Sequence, residues 1–340
     1  MRNLPTAACT LLLVALTTSP ATAQVLEGPD GPVEFIGLEH WGAQDLFDAI
    51  QELHPGRPFS ACAAVMRFEL GFADAGAFLY RNVGSRDSYT VVVGVEDSAR
   101  VRYRPVGSET VALPEPWETL KAMGDENIRT LTAAARTLYA RGGFLNRIFN
   151  SPRRLARRMG TDRETVDQAL DLVGRADGEE DRRLAHDVLA RDSSMAARAV
   201  ATLVLGNFID DDTSWHGLVG SAIDPHAQVA STALGMLRGL SMQDLDPVGW
   251  SAGRSHLAAV FEGTNPFAFA DVLQVLVATD VDPEFGRQLV RENPNLLLAH
   301  VGAEHERTRE PSVAFLQAVS GEGLGADVEA WTAWVDGLRD

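Results

Sequence analysis

His54-Pro55-Gly56-Arg57-Pro58-Phe59-Ser60 stands at the centre of Val33 to Glu96, the part of the chain where strand and helix patterns alternate. On its amino side Val33-Glu34-Phe35-Ile36-Gly37-Leu38 is short, mostly apolar and bounded by turn residues, so it reads as a strand. Leu46, Phe47, Ile50 and Leu53 then recur with the spacing of an amphipathic helix. Pro55 and Pro58 stop that helix, Ser60 is placed to cap a second, and Ala61, Val65, Phe68 and Phe72 form its expected buried stripe. Phe78-Leu79-Tyr80 and Tyr89-Thr90-Val91-Val92-Val93-Gly94-Val95 read as strands on either side of a polar turn at 84–87. In the second of these, Tyr89, Val91, Val93 and Val95 alternate onto one face. Ala99 to Arg104 alternates Val101 and Tyr103 with arginines and predicts one strand more.

This β-α-α-β-β order, with a Pro-Gly-x-Pro-Phe-Ser turn, a Gly-x-Phe and a valine-rich strand ending in Val95-Glu96, resembles a POTRA domain. Pro55, Gly56, Pro58, Phe59, Gly76, Phe78, Val93, Val95 and Glu96 carry the likeness; Asp74-Ala75 before Gly76 and the extra strand at 99–104 depart from it. The resemblance implies an α+β domain over 33–104 that binds another polypeptide and performs no chemistry. An exposed sheet edge has unpaired N–H and C=O groups that accept an added strand. Phe78, Leu79, Tyr80 and Arg81 on that edge are the expected partner contacts.

Residues 1–23 read as a secretory signal: Arg2, the apolar run Ala7 to Leu16, and Ala21-Thr22-Ala23 before Gln24. The expectation is an exported chain, periplasmic or extracellular after cleavage near Ala23, with retention as an uncleaved anchor the alternative. The apolar run is too short to span a bilayer, and no transmembrane segment is expected in the mature chain. Cleavage would remove Cys9 and leave Cys62 alone, beside the stripe of the second helix, as a small buried hydrophobe. The net charge of −17 opposes a nucleic-acid partner, whose phosphates require a basic footprint.

Pro105 to Glu118, with three prolines, reads as a linker that has a short strand at Glu109 to Leu113; from there to 340 the pattern is helical. Ile128, Leu131, Ala135 and Leu138 mark one helix, which Gly142-Gly143 interrupts. Arg153, Arg154, Arg157 and Arg158 make a concentrated basic patch, either a solvated helix face or a docking face for an acidic partner or lipid headgroup. Laying Asp192 on Asp224 aligns Ala197 with Val229, Ala201 with Ala233, Val204 with Met236 and Leu205 with Leu237. With Arg198 and Gly206 this resembles the second helix of HEAT-like repeats. Degenerate copies at Asn265-Pro266 and Pro311 extend the likeness over about 161–321. The resemblance implies an α-solenoid with a concave protein-binding face.

Asp210-Asp211-Asp212, His216 and His226 offer metal-type ligands, yet the acidic run falls where interhelical caps belong and lacks a calcium loop's glycine and terminal glutamate. His300 and His305 do not make a His-Glu-x-x-His pair, and Glu304-His305-Glu306 reads as solvated charge. No metal or cofactor is expected. The expected function is that of a non-enzymatic scaffold or adaptor for another protein or an extended peptide. A hydrolase or lyase using Asp210, Asp212, Glu262 and the histidines is the alternative.

Overall fold

A computed structural model describes residues 24–81, 88–138 and 152–339. The signal-like segment, the turn at 84–87 and the Gly142-Gly143 break lie outside them. The chain is of the α+β class, with an N-terminal four-stranded sheet followed by helices. β1 (Gln24–Gly28) and β2 (Gly31–Ile36) form an antiparallel hairpin. α1 (Ala43–Leu53) and the short α2 (Ala63–Phe68) follow, then β3 (Asp74–Arg81) and β4 (Ser88–Val95). The strand order is β1-β2-β4-β3, with β2 parallel to β4 and β3 antiparallel to it, so β3 is an edge. Glu96, just past β4, accepts the backbone N–H groups of Glu39, His40 and Trp41 and so fixes the turn into α1.

β1 escaped the sequence reading because Gln24-Val25-Leu26-Glu27-Gly28 is half-polar and exposed, which suits a strand added at the margin of a sheet. The second helix is also shorter than expected. Phe59–Ala61 is a 3₁₀ turn, so Ser60 caps nothing, and α2 ends at Phe68, whose ring is 79% exposed. Phe72 is buried as expected.

Both faces of the sheet are covered. Phe35 and Val92 pack with Leu46, Ile50, Phe59, Cys62 and Met66 beneath α1 and α2. Ile36, Val91 and Val93 point the other way, into the core of the helical region. That region comprises α3 (Trp117–Glu126), α4 (Ile128–Leu138), α5 (Pro152–Met159), α6 (Arg163–Arg175), α7 (Glu179–Arg191) and α8 (Met195–Leu205). It continues through α9 (Asp212–Ala222), α10 (Ala227–Leu240), α11 (Arg254–Glu262) and α12 (Pro266–Ala278). α13 (Pro283–Glu292), α14 (Asn295–Val301), α15 (Glu306–Ser320) and α16 (Val328–Gly337) complete it. α8 packs on α10, α10 on α12, and α12 on α15, while α3 lies on α8 and α4 on α10. The aligned positions Ala197, Ala201, Val204 and Leu205 of α8, and Val229, Ala233, Met236 and Leu237 of α10, are all fully buried.

Ala99 to Arg104 is not a strand. Ser98–Arg100 is a 3₁₀ turn, and the extended residues after it bond to the turns between helices: Arg102 N to Thr264 Oγ1, Arg104 N to Ile223 O, Glu109 N to Arg191 O and Ser193 N to Glu109 O. Alternation here reflects an extended backbone whose hydrogen-bond partners are helix ends instead of a sheet. The strand expected at Glu109 to Leu113 reduces to a single parallel bridge, Glu109 to Asp192. Gly107 is required in this strap, because a Cβ on it would run into the carbonyl of Arg191. α3 was hidden by Pro114 and Pro116, which precede it and leave its amino terminus unobstructed.

Candidate functional site

The turns that start α8, α10, α12 and α15 are each met by a buried carboxylate. A helix's first N–H groups have no partner inside the helix, so an acid placed there satisfies them and the dipole together. Asp192 Oδ1 accepts Ser194 N at 2.6 Å and Asp224 Oδ1 accepts His226 N at 2.8 Å, each acid coming from its own turn. The corresponding turns before α12 and α15 read Thr264-Asn265 and Glu304-His305, and there the sheet supplies the acid. Asp74 of β3 accepts Asn265 N at 2.9 Å and the hydroxyl of Tyr103. Glu34 of β2, fully buried, accepts Glu304 N, His305 N at 3.2 Å and the Tyr89 hydroxyl at 3.0 Å.

Arginines lock the same row. Arg198 donates from Nε (2.8 Å) and Nη2 (3.1 Å) to the Asp224 carboxylate and from Nη1 to the carbonyls of Asp192 (3.3 Å) and Ser193 (2.8 Å), joining two successive turns. Arg104 of the strap lies 3.2 Å from Asp224 Oδ2. Glu304 and Glu306 are exposed, as expected of solvated charge, but the His305 ring is half-buried: it stacks on Tyr80, with centroids 3.8 Å apart, and lies 4.8 Å from Tyr89. His300 belongs to α14, separate from the turn that holds His305, and is buried against Phe269 with its Nδ1 2.9 Å from Leu296 O.

These contacts fix how β3 meets the helices. Phe78 and Tyr80 turn towards them: Phe78 lies against Phe267 at 5.2 Å between ring centroids, and Tyr80 accepts a hydrogen bond from Thr308 at 3.1 Å. Leu79 and Arg81 point the opposite way and are exposed. They border a cleft of about 620 Å³ whose far wall is Pro58, Phe59 and Ser60, the end of the turn that begins at His54. The outer edge of β3 has no partner strand among the described residues.

On the helical side of that edge, α12 shows Phe267, Gln274 and Val277 to solvent, and α10 shows Arg238. Arg238 makes a two-pronged ion pair with buried Asp271 at 3.0 and 2.6 Å. Arg136 of α4 crosses α10 at Gly235, where a Cβ would stand 3.1 Å from the arginine Cγ. Its Nε is buried without an acceptor, and among the described residues it forms no ion pair. Burial and the nearby charges of Arg238 and Arg158 hold Arg136 below the ordinary arginine range. Of the expected basic patch, Arg153, Arg154, Arg157 and Arg158 are exposed on α5 around buried Ala156. The patch thus approaches the helix face through Arg158. Arg136 and Arg238 were missed in the sequence because each sits singly in an apolar pattern.

The acidic and histidine residues have local roles. Asp211 caps α9, Asp212 accepts Gly249 N at 3.1 Å, His216 Nε2 donates to Gly249 O at 2.9 Å, His226 Nδ1 accepts Gln228 N at 3.3 Å, and Glu262 pairs with Arg102. Among the described residues no group of three or more His, Cys, Asp or Glu is placed to hold a metal ion, and no helix is long and apolar enough to cross a membrane. Burial pushes the Cys62 thiol up to about 12, far from a reactive thiolate. No family model, no curated protein and no solved structure matches the chain.

Proposed function

We propose that the protein is a non-enzymatic scaffold that binds another polypeptide along the β3 edge. The signal-like residues 1–23 support an exported setting. One observation carries the reading: the unpaired edge of β3 runs between a cleft at Leu79 and Arg81 on one side and an open helix face at Phe267 and Arg238 on the other. A strand added to an edge gains main-chain hydrogen bonds, and its side chains alternate to the two faces, where pockets select them. Both faces beside β3 provide such surface. In this reading the POTRA-like sheet presents the edge, and the HEAT-like helices serve as a rigid second wall. α3 lies on α8 and α4 on α10, which leaves the α12 and α15 end of the helix face, with Arg238 at its margin, for a partner.

The test uses the full chain carrying a photo-cross-linking residue at Leu79, with Glu284 on α13 as the control position. Capture of one defined polypeptide from Leu79 but not from Glu284 is the expected result. Equal capture from both positions, or none from Leu79, refutes the reading.

A further inference from the structure

We infer that Arg136 and Arg238 form a carboxylate seat, so that the segment added beside β3 is an acidic one. The inference rests on the polypeptide-binding reading and names the chemistry of its partner.

Around this point the cations outnumber the acids in a chain that is acidic overall. Asp271 is the carboxylate here, and it is already engaged by both Arg238 nitrogens that face it. The Arg238 side chain nevertheless keeps 59% of its surface exposed, leaving a donor edge for a second acceptor. Arg136 has an enclosed Nε with no acceptor, and the nearby carboxylate, Asp271, is already bonded to Arg238, so the Arg136 charge is left largely uncompensated. Gly235 is the residue that lets its stem cross α10 and reach this face. Arg158 adds a third positive charge near Arg136, and Tyr80 of β3 stands within electrostatic range of Arg238 and Asp271. A carboxylate on every second residue of an added strand would project to this face, and a guanidinium fork matches it in two-pronged geometry. A basic segment would meet like charges here, and an apolar one would leave the positive charge of this face unbalanced.

The experiment measures fluorescence anisotropy of three labelled octapeptides with the full chain at low salt: alternating valine and glutamate, and the same peptide with glutamine or lysine in place of glutamate. The acidic peptide is expected to bind roughly tenfold tighter than the glutamine one, the scale of one charge-assisted hydrogen bond. That advantage should shrink as salt is raised. Arg136→Gln and Arg238→Gln should each remove most of it, so that the acidic and glutamine peptides bind alike; Arg175→Gln on α6, where the arginine pairs with Asp171, should leave the tenfold ratio in place. Thermal melts of each variant check that the fold persists. Equal binding of the acidic and glutamine peptides, or an acidic preference untouched by both substitutions, overturns the carboxylate seat and leaves polypeptide binding standing. Binding of none of the three overturns both.

Discussion

Replacing Glu34 by glutamine tests whether the sheet caps α15. The carboxylate accepts three donors, Glu304 N, His305 N and Tyr89 Oη, in a site without solvent. Glutamine keeps the shape but turns one acceptor oxygen into a donor. In either orientation at least one N–H is left facing an NH₂ group. A lost charge-assisted bond is worth roughly 1.5–3 kcal/mol, and a stranded buried donor costs about 1–3 kcal/mol more. Removing a buried charge offsets part of this, so the expected loss is about 3 kcal/mol. At about 2 °C per kcal/mol for a chain of this size, the melting temperature should fall by roughly 6 °C. Urea denaturation followed by circular dichroism gives the free energy, and native-state hydrogen exchange should show faster exchange at the start of α15. Tyr89→Phe made alone and together with Glu34→Gln isolates the hydroxyl's share of the coupling. A change within about 0.5 kcal/mol, the range of ordinary surface substitutions, would refute the capping role.

Gly107→Ala should destabilise the chain by about 2 kcal/mol or more, because the added methyl meets the Arg191 backbone and cannot be relieved by a side-chain rotation; unchanged urea stability would show that the strap does not press on that turn. His300 is held at about 4 by burial, although its Nδ1 hydrogen bond to Leu296 pulls the other way. Its pKa is therefore depressed below the ordinary value of about 6.5, the unfolded chain binds more protons between these values, and stability should fall as pH drops from about 6.5 to about 4, by up to about 3 kcal/mol. His300→Gln should flatten that part of the stability profile. In a Cys9→Ser background the Cys62 thiol should react with a disulfide reagent only after denaturant is added; fast labelling of the native chain would contradict its burial.

Much of the architecture could be read from local patterns. Pro55 to Ser60 breaks the chain between two helices, the valines of 89–95 mark the central strand, and the Asp192 and Asp224 turns start equivalent helices. Each of these signals lies within a few residues of its effect. What stayed hidden depends on groups far apart in the chain. The alternation at 99–104 specified an extended backbone but not that its partners would be Thr264 and Ile223. In Glu304-His305-Glu306 the two glutamate side chains are exposed as expected, but the backbone contacts of Glu304 and His305 could not be foreseen, because the carboxylate that accepts them belongs to residue 34. One clue was present. A glutamate inside an apolar strand, and turns before α12 and α15 that carry no aspartate of their own, are two irregularities that answer each other. For the candidate site, the edge residues Phe78 to Arg81 were legible from strand order, whereas Arg136 and Arg238 come together only through the packing of α4 on α10.

The two origins of the capping acids also set an order of assembly. Asp192 and Asp224 close on amides two residues away, so α8 and α10 can be completed as soon as they are made. Asp74 must find Asn265 across 191 positions, and Glu34 must find Glu304 across 270. Closing loops of that length delays contact formation, which places the docking of the sheet after the middle helices have formed. Until that moment α12 and α15 begin with bare amides, and β3 has no wall of helices behind it. The surface proposed to receive a partner therefore depends on both long closures, and exists only once the early strands have met the final third of the chain.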